Sequence, residues 1–326
     1  MVRNLFLTFL LIAGSVSATL AQSTTSPVFR FLNLPVTARS AALGGNHISL
    51  NDGDVSLFQL NPAYLDTPSH RNLAISYINH LSDVNLGFIS GAWSLNNIGT
   101  VGGGLRYVNY GQFNRTGPDG EDMGTFHAND IALDVGIGRR YNAHFRYGAS
   151  ISFIYSGYDS YQSTGIGLTV GGLYWFPDQH LSLGAVIKNI GYQTGTYDGL
   201  REPLPLDIGL GISKKLEHTP LRLSILFHKL NNWDLRTYGD EGSPNFKDNF
   251  FRHLVVGTEF ILSSHVQLRF GYDYYQHEQL KTGSRLDTAG FSFGLSIMVK
   301  KYRFGFSRNS YSALGGLTQF SFQTNI

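Results

Sequence analysis

The 326-residue sequence contains no cysteine, few charged residues and, beyond its amino terminus, no long apolar run. The absence of cysteine excludes thiolate catalysis, cysteine-ligated zinc and a disulfide framework. Only 15% of the residues are charged, which is low for a soluble protein, and a net charge of +2 is not the concentrated basic surface that nucleic-acid binding requires. Because the internal apolar stretches are too short for spanning helices, residence in a membrane would require strands.

Residues 1–21 have the features of a secretory signal peptide. Arg3 supplies a short positive region, residues 5–13 form an apolar core, and small residues follow, with Ala18 and Ala21 as candidate cleavage positions. The apolar core is shorter than the roughly 20 residues of a spanning helix, so we expect it to direct export. The mature chain would then begin near residue 22, and a buried amino-terminal strand or helix is the alternative.

From residue 71 onward, apolar and polar residues alternate in successive short segments. In one segment, Leu133 and Val135 share one face and Asp134 lies on the other. This period of two predicts strands with two different faces. The apolar face is bulky, whereas the other face carries glycine, serine and single charges. That asymmetry favours a transmembrane barrel over the alternative, a soluble β-sandwich, whose outer face would carry many charges.

We therefore predict an all-β fold, a transmembrane antiparallel β-barrel of about 14 strands over residues 71–326. An even number of strands is typical of bacterial single-chain barrels. Short connections, among them Leu81–Asp83 and Asn142–Ala143, are expected on the periplasmic side. Long connections, among them Gly111–Thr125 and Asn231–Phe250, are expected on the outer side.

Residues 22–70 differ from the strands and are predicted to form a separate amino-terminal segment. Thr37 is placed to start a short helix that Gly44 would end, and Asn61–Ala63 is typical of a turn that opens one helical turn. Asn51–Asp54 resembles a fragment of a calcium loop but lacks the spaced acidic ligands, so we predict a turn. We expect the segment to plug the lumen of the barrel, with a position in the periplasm as the alternative.

Charged residues within the alternating segments share the polar face, which in a barrel is the lumen. A lipid-facing arginine or lysine would cost roughly 2–4 kcal/mol at mid-bilayer. Positive and negative charges are equally numerous, which favours a crosslinked, closed interior over a selective pore biased to one sign. The predicted lumen charge network consists of Arg106, Asp130, Asp134, Arg146, Lys188, Asp207, Arg222, Glu259, Arg269 and Asp273.

The stretch FLNLPVTARSAALGGNHISLNDGDVSLFQLNPAYLD resembles the amino-terminal signature of the PorV/PorQ family, outer-membrane components of the type IX secretion system within the FadL-like barrel superfamily. Residues 31–35, 38–45 and 61–63 carry the likeness. The resemblance implies a non-enzymatic scaffold subunit of a cell-surface attachment complex, integral to the bacterial outer membrane. The implied partners, besides outer-membrane lipid, are a sortase-like protease, a PorV-like barrel and a PorZ-like surface protein. The scaffold would anchor the surface protein while cargo is attached to anionic lipopolysaccharide.

No catalytic or cofactor motif occurs in a usable context, so we predict no enzyme activity, no cofactor and no metal site. His228 and His253 fall on lumen positions, where a structural role is favoured over metal ligation. The best candidates for partner docking are the polar loops Asn231–Asn249 and Gly111–Thr125. Their aromatic anchors are Trp233, Tyr238, Phe246 and Phe113.

Two other functions stay open from the residues alone. A FadL-like transporter of hydrophobic small molecules would use the amino-terminal segment as a hatch and would need an apolar pocket in the barrel, whereas the predicted lumen residues are polar or small. An outer-membrane hydrolase would need a Ser/His or Asp/His pair at a strand end. The nearest pair, Asp130 and His127, is three residues apart and therefore lies on opposite faces of a strand.

Overall fold

Fourteen antiparallel strands close into one barrel in the computed structural model, and β1 pairs with β14 to complete the ring. Consecutive strands are neighbours throughout, so the sheet is a simple up-and-down meander. The predicted all-β barrel of about 14 strands is confirmed. The structure describes residues 26–79, 84–237, 240, 242–282, 287–312 and 315–326. The predicted signal peptide, Leu81–Asp83 and Tyr238 lie outside the described residues.

The strands differ in length around the ring. Those of the first half, from β3 to β7, are long, whereas β8 to β12 are short. The strands are β1 (Asn72–Asn79), β2 (Asn85–Leu95), β3 (Gly99–Thr116), β4 (Asp122–Arg140), β5 (Phe145–Tyr158), β6 (Tyr161–Phe176), β7 (Leu181–Gly195), β8 (Asp207–Lys215), β9 (Leu221–Phe227), β10 (Leu254–Ile261), β11 (Val266–Asp273), β12 (Phe291–Val299), β13 (Tyr302–Ser312) and β14 (Gly315–Asn325).

Burial alternates along the strands as the sequence pattern requires. On β4, Leu133 and Val135 are each 48% exposed, whereas Ala132 and Asp134 are buried. Bulky apolar side chains on the other strands share this outward orientation, and serine, glycine and charged residues point inward. The outward side chains form an apolar band around the barrel, which is the surface that hydrocarbon would cover.

The two ends of the barrel carry different connections. Turns that follow the even-numbered strands are short, and the longer connections, residues 196–206, 228–253 and 274–290, lie at the opposite end. The assignment of the β1–β2 connection to the short-turn end is wrong. Asn79 pairs with Asn85, and this pairing places the ends of β1 and β2 at the long-loop end.

The predicted long loop Gly111–Thr125 is a second correction. Strand β3 continues to Thr116 and β4 already begins at Asp122, so most of this range is a hairpin that extends the barrel wall. Phe113 of β3 stacks on Phe126 of β4 with their ring centroids 5.3 Å apart. Apart from Phe113, Met123 and Phe126, the hairpin consists of polar residues, glycine and one proline, so it lacks the regular alternation by which a half-buried strand is found in a sequence.

The described residues form three α-helices, namely α1 (Ala38–Ala42), α2 (Phe246–Arg252) and α3 (Tyr274–Leu280). The side chains of Thr37 and Ser40 form a capping box at the start of α1, which confirms the predicted helix start. Among the described residues, no helix is both long and apolar enough to cross a membrane. Single 3-10 turns span Arg30–Asn33, Val55–Gln59, Pro62–Tyr64, Thr67–Ser69 and Pro177–Gln179.

Residues 26–70, called the amino-terminal segment below, lie inside the barrel. Helix α1 packs against β11 to β14, and the turn Pro62–Tyr64 packs against β4 to β6 on the other side. Phe58 and Leu65 are fully buried, and burial of such a side chain stabilises the fold by roughly 1.5–3 kcal/mol. A Cβ atom added to Gly271 of β11 would lie 2.0 Å from the carbonyl carbon of Leu43, so only glycine admits the segment this close to the wall.

Candidate functional site: the filled lumen and the loop rim

The first contact between the segment and the wall is the Glu259 cluster, which consists of Glu259, Arg39, Arg222, Arg269 and Asp52. Glu259 of β10 is directly opposite Arg222 of β9 and Arg269 of β11 in the sheet. Its carboxylate accepts hydrogen bonds from Arg222 and Arg269, each at 2.8 Å. Arg39 of α1 donates to both carboxylate oxygens at 3.0 Å through Nε and Nη2. One glutamate therefore joins two strands to the segment.

Aspartates of the segment balance the arginines of this cluster. Asp52 pairs with Arg39 and with Arg222, the latter at 2.9 Å. Asp54 lies 3.4 Å from Arg39 and also caps the turn Val55–Gln59 by accepting from the backbone of Ser56. Three carboxylates thus face these three arginines, and a fourth arginine, Arg303 of β13, lines the same small cavity as Arg39, Asp54 and Arg269. Because such pairs offset the cost of burying each ion, removal of one member leaves an uncompensated charge.

The second contact is the Asp134 cluster, which consists of Asp134, Arg106 and Gln59. Arg106 of β3 donates to Asp134 of β4 at 2.9 Å, and the Gln59 amide donates to the same carboxylate at 2.7 Å. The other guanidinium nitrogens of Arg106 donate to the backbone carbonyls of Leu32 at 2.7 Å and Gln59 at 3.0 Å. Here a strand arginine holds the backbone of the segment directly.

The third contact is the Asp66 cluster at the short-turn end, which consists of Asp66, Arg140 and Arg146. Asp66 follows Leu65, the last buried apolar residue of the segment, and its carboxylate pairs with Arg146 at 3.0 Å and with Arg140. Arg146 also donates to the side chain of Asn51. Two strands, β4 and β5, therefore fix the point where the segment leaves the lumen.

The ten charged residues predicted for the lumen do not form one network. Lys188 pairs with Asp207 at 2.7 Å near the long-loop end. Asp130 accepts from the Tyr110 hydroxyl at 2.6 Å, and Asp273 caps α3. The remaining predicted residues, Arg106, Asp134, Arg146, Arg222, Glu259 and Arg269, belong to the three clusters described above.

The residues that the amino-terminal segment contributes to the clusters were not predicted. Arg39, Asp52, Asp54 and Asp66 were outside the predicted network because they precede the alternating strands. The signal that could have revealed them is the occurrence of Arg39 within an otherwise small and apolar run. An arginine in such a run requires a buried acidic partner. The predicted turn at residues 51–54 is confirmed, because the backbone bends at Asp52.

The two histidines predicted to be structural lie beneath the long loops. A ring nitrogen of His253 lies 2.7 Å from the carbonyl oxygen of His228, and the other lies 3.2 Å from the carbonyl oxygen of Trp233. Within the described ranges, no group of three or more histidine or acidic residues could hold a metal ion.

The loop between β9 and β10 has a defined structure at the rim. The indole of Trp233 stacks on the imidazole of His253 with centroids 4.7 Å apart, and Phe246 lies 5.8 Å from Trp233. Arg252 donates to Asp240 at 2.6 Å, and this donation holds the pKa of the Asp240 carboxyl well below its usual range. Trp233 is 43% and Phe246 is 74% exposed, so both present aromatic surface to the outside.

A second rim feature is a groove of about 1160 Å³ above β5 to β8. Tyr158 and Tyr161 flank the two-residue turn between β5 and β6, and Tyr197 faces them from the next connection. The groove could not be predicted, because its tyrosines belong to three separate segments of the sequence. The rim therefore has two aromatic surfaces, whereas Phe113 lies apart on the β3–β4 hairpin.

Solved structures of hydrocarbon channels share this architecture. A mutant of the monoaromatic hydrocarbon channel TodX aligns with a TM-score of 0.55 and 15% identity over 89% of this chain and 99% of that chain. The monoaromatic hydrocarbon channel CymD aligns with a TM-score of 0.55 and 13% identity over 90% of this chain and 98% of that chain. A FadL homologue from Pseudomonas aeruginosa aligns with a TM-score of 0.51 and 14% identity over 90% of this chain and 99% of that chain. No protein-family model and no protein of curated function matches the sequence.

At these identities the likeness is one of fold. The closed barrel is thus similar in fold to these hydrocarbon channels and to the FadL homologue.

Proposed function

We propose that the protein is a PorQ-type scaffold of the type IX secretion system. It is integral to the bacterial outer membrane and anchors a PorZ-like surface protein while cargo is attached to anionic lipopolysaccharide. A sortase-like protease and a PorV-like barrel complete the complex. The observation that carries this proposal is the filled lumen, because a barrel whose interior is occupied by its own chain is suited to anchoring and not to conduction.

Several contacts support a permanently filled lumen. The amino-terminal segment meets the wall at three clusters on different sides, through ion pairs in two of them and through hydrogen bonds in the Asp134 cluster, and its side chains Phe58 and Leu65 are fully buried. Breaking one buried pair by removing a partner costs roughly 3–5 kcal/mol. Release of the whole segment would break the ion pairs of Arg39 and Asp66 and the hydrogen bonds from Arg106 to the segment together, which opposes a role as an easily displaced hatch.

The amino-terminal signature favours the PorQ type over the PorV type. The chain is short and its segment opens with FRFLNLP, residues 29–35. In the structure this motif forms the turn Arg30–Asn33, and Leu32 accepts the hydrogen bond from Arg106. The residues that carry the resemblance therefore contribute to the attachment of the segment.

The exposed aromatics of the rim support a docking surface. Trp233 is held by its stacking on His253, so it would lose little side-chain entropy on binding. Tryptophan and tyrosine dominate the binding energy of many protein interfaces. We therefore place the PorZ-like partner on the β9–β10 loop, with Trp233 and Phe246 as anchors.

Co-purification after gentle detergent extraction and crosslinking tests the proposal. A variant with Trp233→Ala and Phe246→Ala should lose most of the crosslinked surface partner while the barrel stays folded. Tyr141→Ala is a matched control, because Tyr141 is 75% exposed on the β4–β5 turn at the opposite end. Equal recovery of the partner from both variants would reject the docking surface. Failure of the wild-type protein to recover any partner would reject the scaffold function.

The second candidate is a FadL-like transporter of hydrophobic small molecules, favoured by the likeness of the fold to the toluene transporter TodX. This function would require the amino-terminal segment to move, since Phe58 and Leu65 now fill the interior. Saturable binding of toluene or of a fatty acid to the purified protein would support the transporter. We expect neither ligand to bind.

A further inference from the structure

A groove of about 630 Å³ crosses the outward face of β4, β5 and β6 near their short-turn end. Its apolar part is the cross-strand row Ile137, Ala149 and Val170, because Ile137 pairs with Ala149 and Ala149 pairs with Val170. The methyl group of Ala149 leaves a depression between two larger side chains. The next row toward the middle of the barrel contains the paired residues Ile151 and Leu168, so the apolar surface is bulky again there.

The groove ends in a second cross-strand row, Arg139, Tyr147 and Gly172. Arg139 pairs with Tyr147, and Tyr147 pairs with Gly172. Directly opposite residues have Cβ atoms about 5 Å apart, so the side chains of Arg139 and Tyr147 lie next to each other. The ring of Phe145 covers Gly172 and stacks on Tyr147, which closes the groove on that side. Arg140, the next residue, turns inward and pairs with Asp66. No carboxylate in the described part of the chain forms an ion pair with Arg139.

This arrangement places an arginine without a carboxylate partner at the edge of the apolar band. An outward arginine near the interface costs only about 0–1 kcal/mol, since its aliphatic stem lies on apolar surface while the guanidinium reaches the headgroups. A guanidinium is suited to phosphate because its donors match two phosphate oxygens at once. The apolar row would cover an acyl chain and the polar row would bind the phosphate of the same molecule.

We propose that this groove is a binding site for an anionic phospholipid of the periplasmic leaflet. The acyl chain lies across Ala149, and the headgroup phosphate accepts hydrogen bonds from Arg139 and from the Tyr147 hydroxyl. The inference rests on the membrane location in the proposed function and is independent of any surface partner. A failed co-purification experiment would therefore leave it intact.

The barrel contains a matched control for this site. Lys214 is the penultimate residue of β8, as Arg139 is of β4, and it is likewise outward and exposed. The residues directly opposite Lys214 are Leu181 and Leu223. This position therefore has a cation at the corresponding place in its strand, but it has no small residue like Ala149 beside the cation. Comparison of the two positions separates a shaped site from general attraction of basic residues to anionic lipid.

The test is native mass spectrometry of the full-length protein in detergent micelles. The probes are dioleoyl phosphatidylglycerol and, as the zwitterionic counterpart with the same chains, dioleoyl phosphatidylethanolamine. We expect the wild type to retain one phosphatidylglycerol and to prefer it over phosphatidylethanolamine. Arg139→Gln should weaken phosphatidylglycerol binding at least about tenfold. Arg139→Lys should restore part of the affinity, and Lys214→Gln should leave it unchanged.

Ala149→Phe provides a second variant that keeps Arg139 and fills the groove. It should remove binding of both lipids, while heat-modifiable migration on gels shows that the barrel is folded. Equal binding of the two lipids by the wild type would overturn the proposal. Equal losses in Arg139→Gln and Lys214→Gln, or full binding by Ala149→Phe, would also overturn it.

Discussion

The Glu259 cluster and the Asp134 cluster attach the same segment to opposite sides of the lumen in different ways. On the β9–β11 side, a single carboxylate accepts from three arginines, one of which belongs to the segment. On the β3–β4 side, a single arginine donates to one carboxylate and to two backbone carbonyls of the segment. The first attachment depends on charge balance, and the second depends mainly on hydrogen bonds.

This difference has a consequence for the strength of each attachment. Loss of Glu259 leaves Arg39, Arg222 and Arg269 buried with only the two aspartates of the segment as counter-ions. Loss of the Asp134 charge leaves Arg106 with two carbonyl acceptors still in place. Both losses leave a positive charge uncompensated, but loss of Glu259 removes the shared acceptor of three arginines and loss of the Asp134 charge removes that of one, so the Glu259 side should lose more stability.

The largest effect should come from Glu259→Gln, which keeps the side-chain volume and removes the charge. We expect a loss of roughly 3–5 kcal/mol in the free energy of unfolding. Thermal unfolding in detergent measures this loss, and limited proteolysis of the amino-terminal segment reports its release. A melting temperature equal to that of the wild type would show that the cluster is not a stabilising feature.

Gly271→Ala tests packing on the same side without any change of charge. The added methyl group would meet the backbone of Leu43 at 2.0 Å, and such overpacking costs roughly 1–3 kcal/mol. Gly103→Ala is the control, since a Cβ atom at Gly103 meets nothing within 4 Å. Chemical denaturation of both variants should separate them, and equal stability would mean that the segment does not press on β11.

Asp134→Asn tests the opposite side and should have a smaller effect than Glu259→Gln. The substitution leaves Arg106 without a carboxylate, but the amide can still accept one hydrogen bond and Arg106 keeps its carbonyl acceptors, so we expect a loss of roughly 2–3 kcal/mol. The same thermal unfolding assay measures it. If Asp134→Asn proves as damaging as Glu259→Gln, the distinction between the two attachments is wrong.

The smallest effect should come from Asp240, which pairs with Arg252 in the rim loop and belongs to neither cluster. Asp240→Asn should increase hydrogen exchange of the α2 amides and leave barrel unfolding unchanged. Because folding lowers the pKa of Asp240, its stabilisation is present above the ordinary value of 3.8 and is lost as the pH falls through the lower folded value. If the hydrogen-exchange protection of the α2 amides already weakened between pH 8 and pH 6, the Asp240 carboxylate would not be the group that stabilises the loop.

The strands could be predicted because each carries its own signal. Leu133, Val135 and their outward neighbours alternate with small or charged residues, and that pattern is local. The short helix α1 was equally accessible, since Thr37 caps it from the adjacent residue. The extension of β3 to Thr116 could not be predicted, because apolar and polar residues no longer alternate regularly in this hairpin.

The attachments of the segment could not be predicted, because they join residues far apart in the chain. Arg39 and Glu259 are separated by 220 positions, and Arg222 and Asp52 by 170. An alternating pattern shows that Glu259 points inward, but it does not show which side chain meets it there. Half of each cluster therefore depends on the fold of a segment that has no repeating pattern.

A designed disulfide measures the central claim, that residues 26–70 fill the barrel, most directly. The native chain has no cysteine, and a Cβ atom at Gly305 of β13 lies 3.5 Å from the Cβ atom of Ala38, a separation that suits a disulfide. We expect Ala38→Cys with Gly305→Cys to crosslink completely upon mild oxidation, whereas Ala38→Cys with Gly103→Cys should not crosslink. Mass spectrometry of the digested protein would identify the linked peptides. Two free thiols in the first variant after oxidation would contradict the filled lumen.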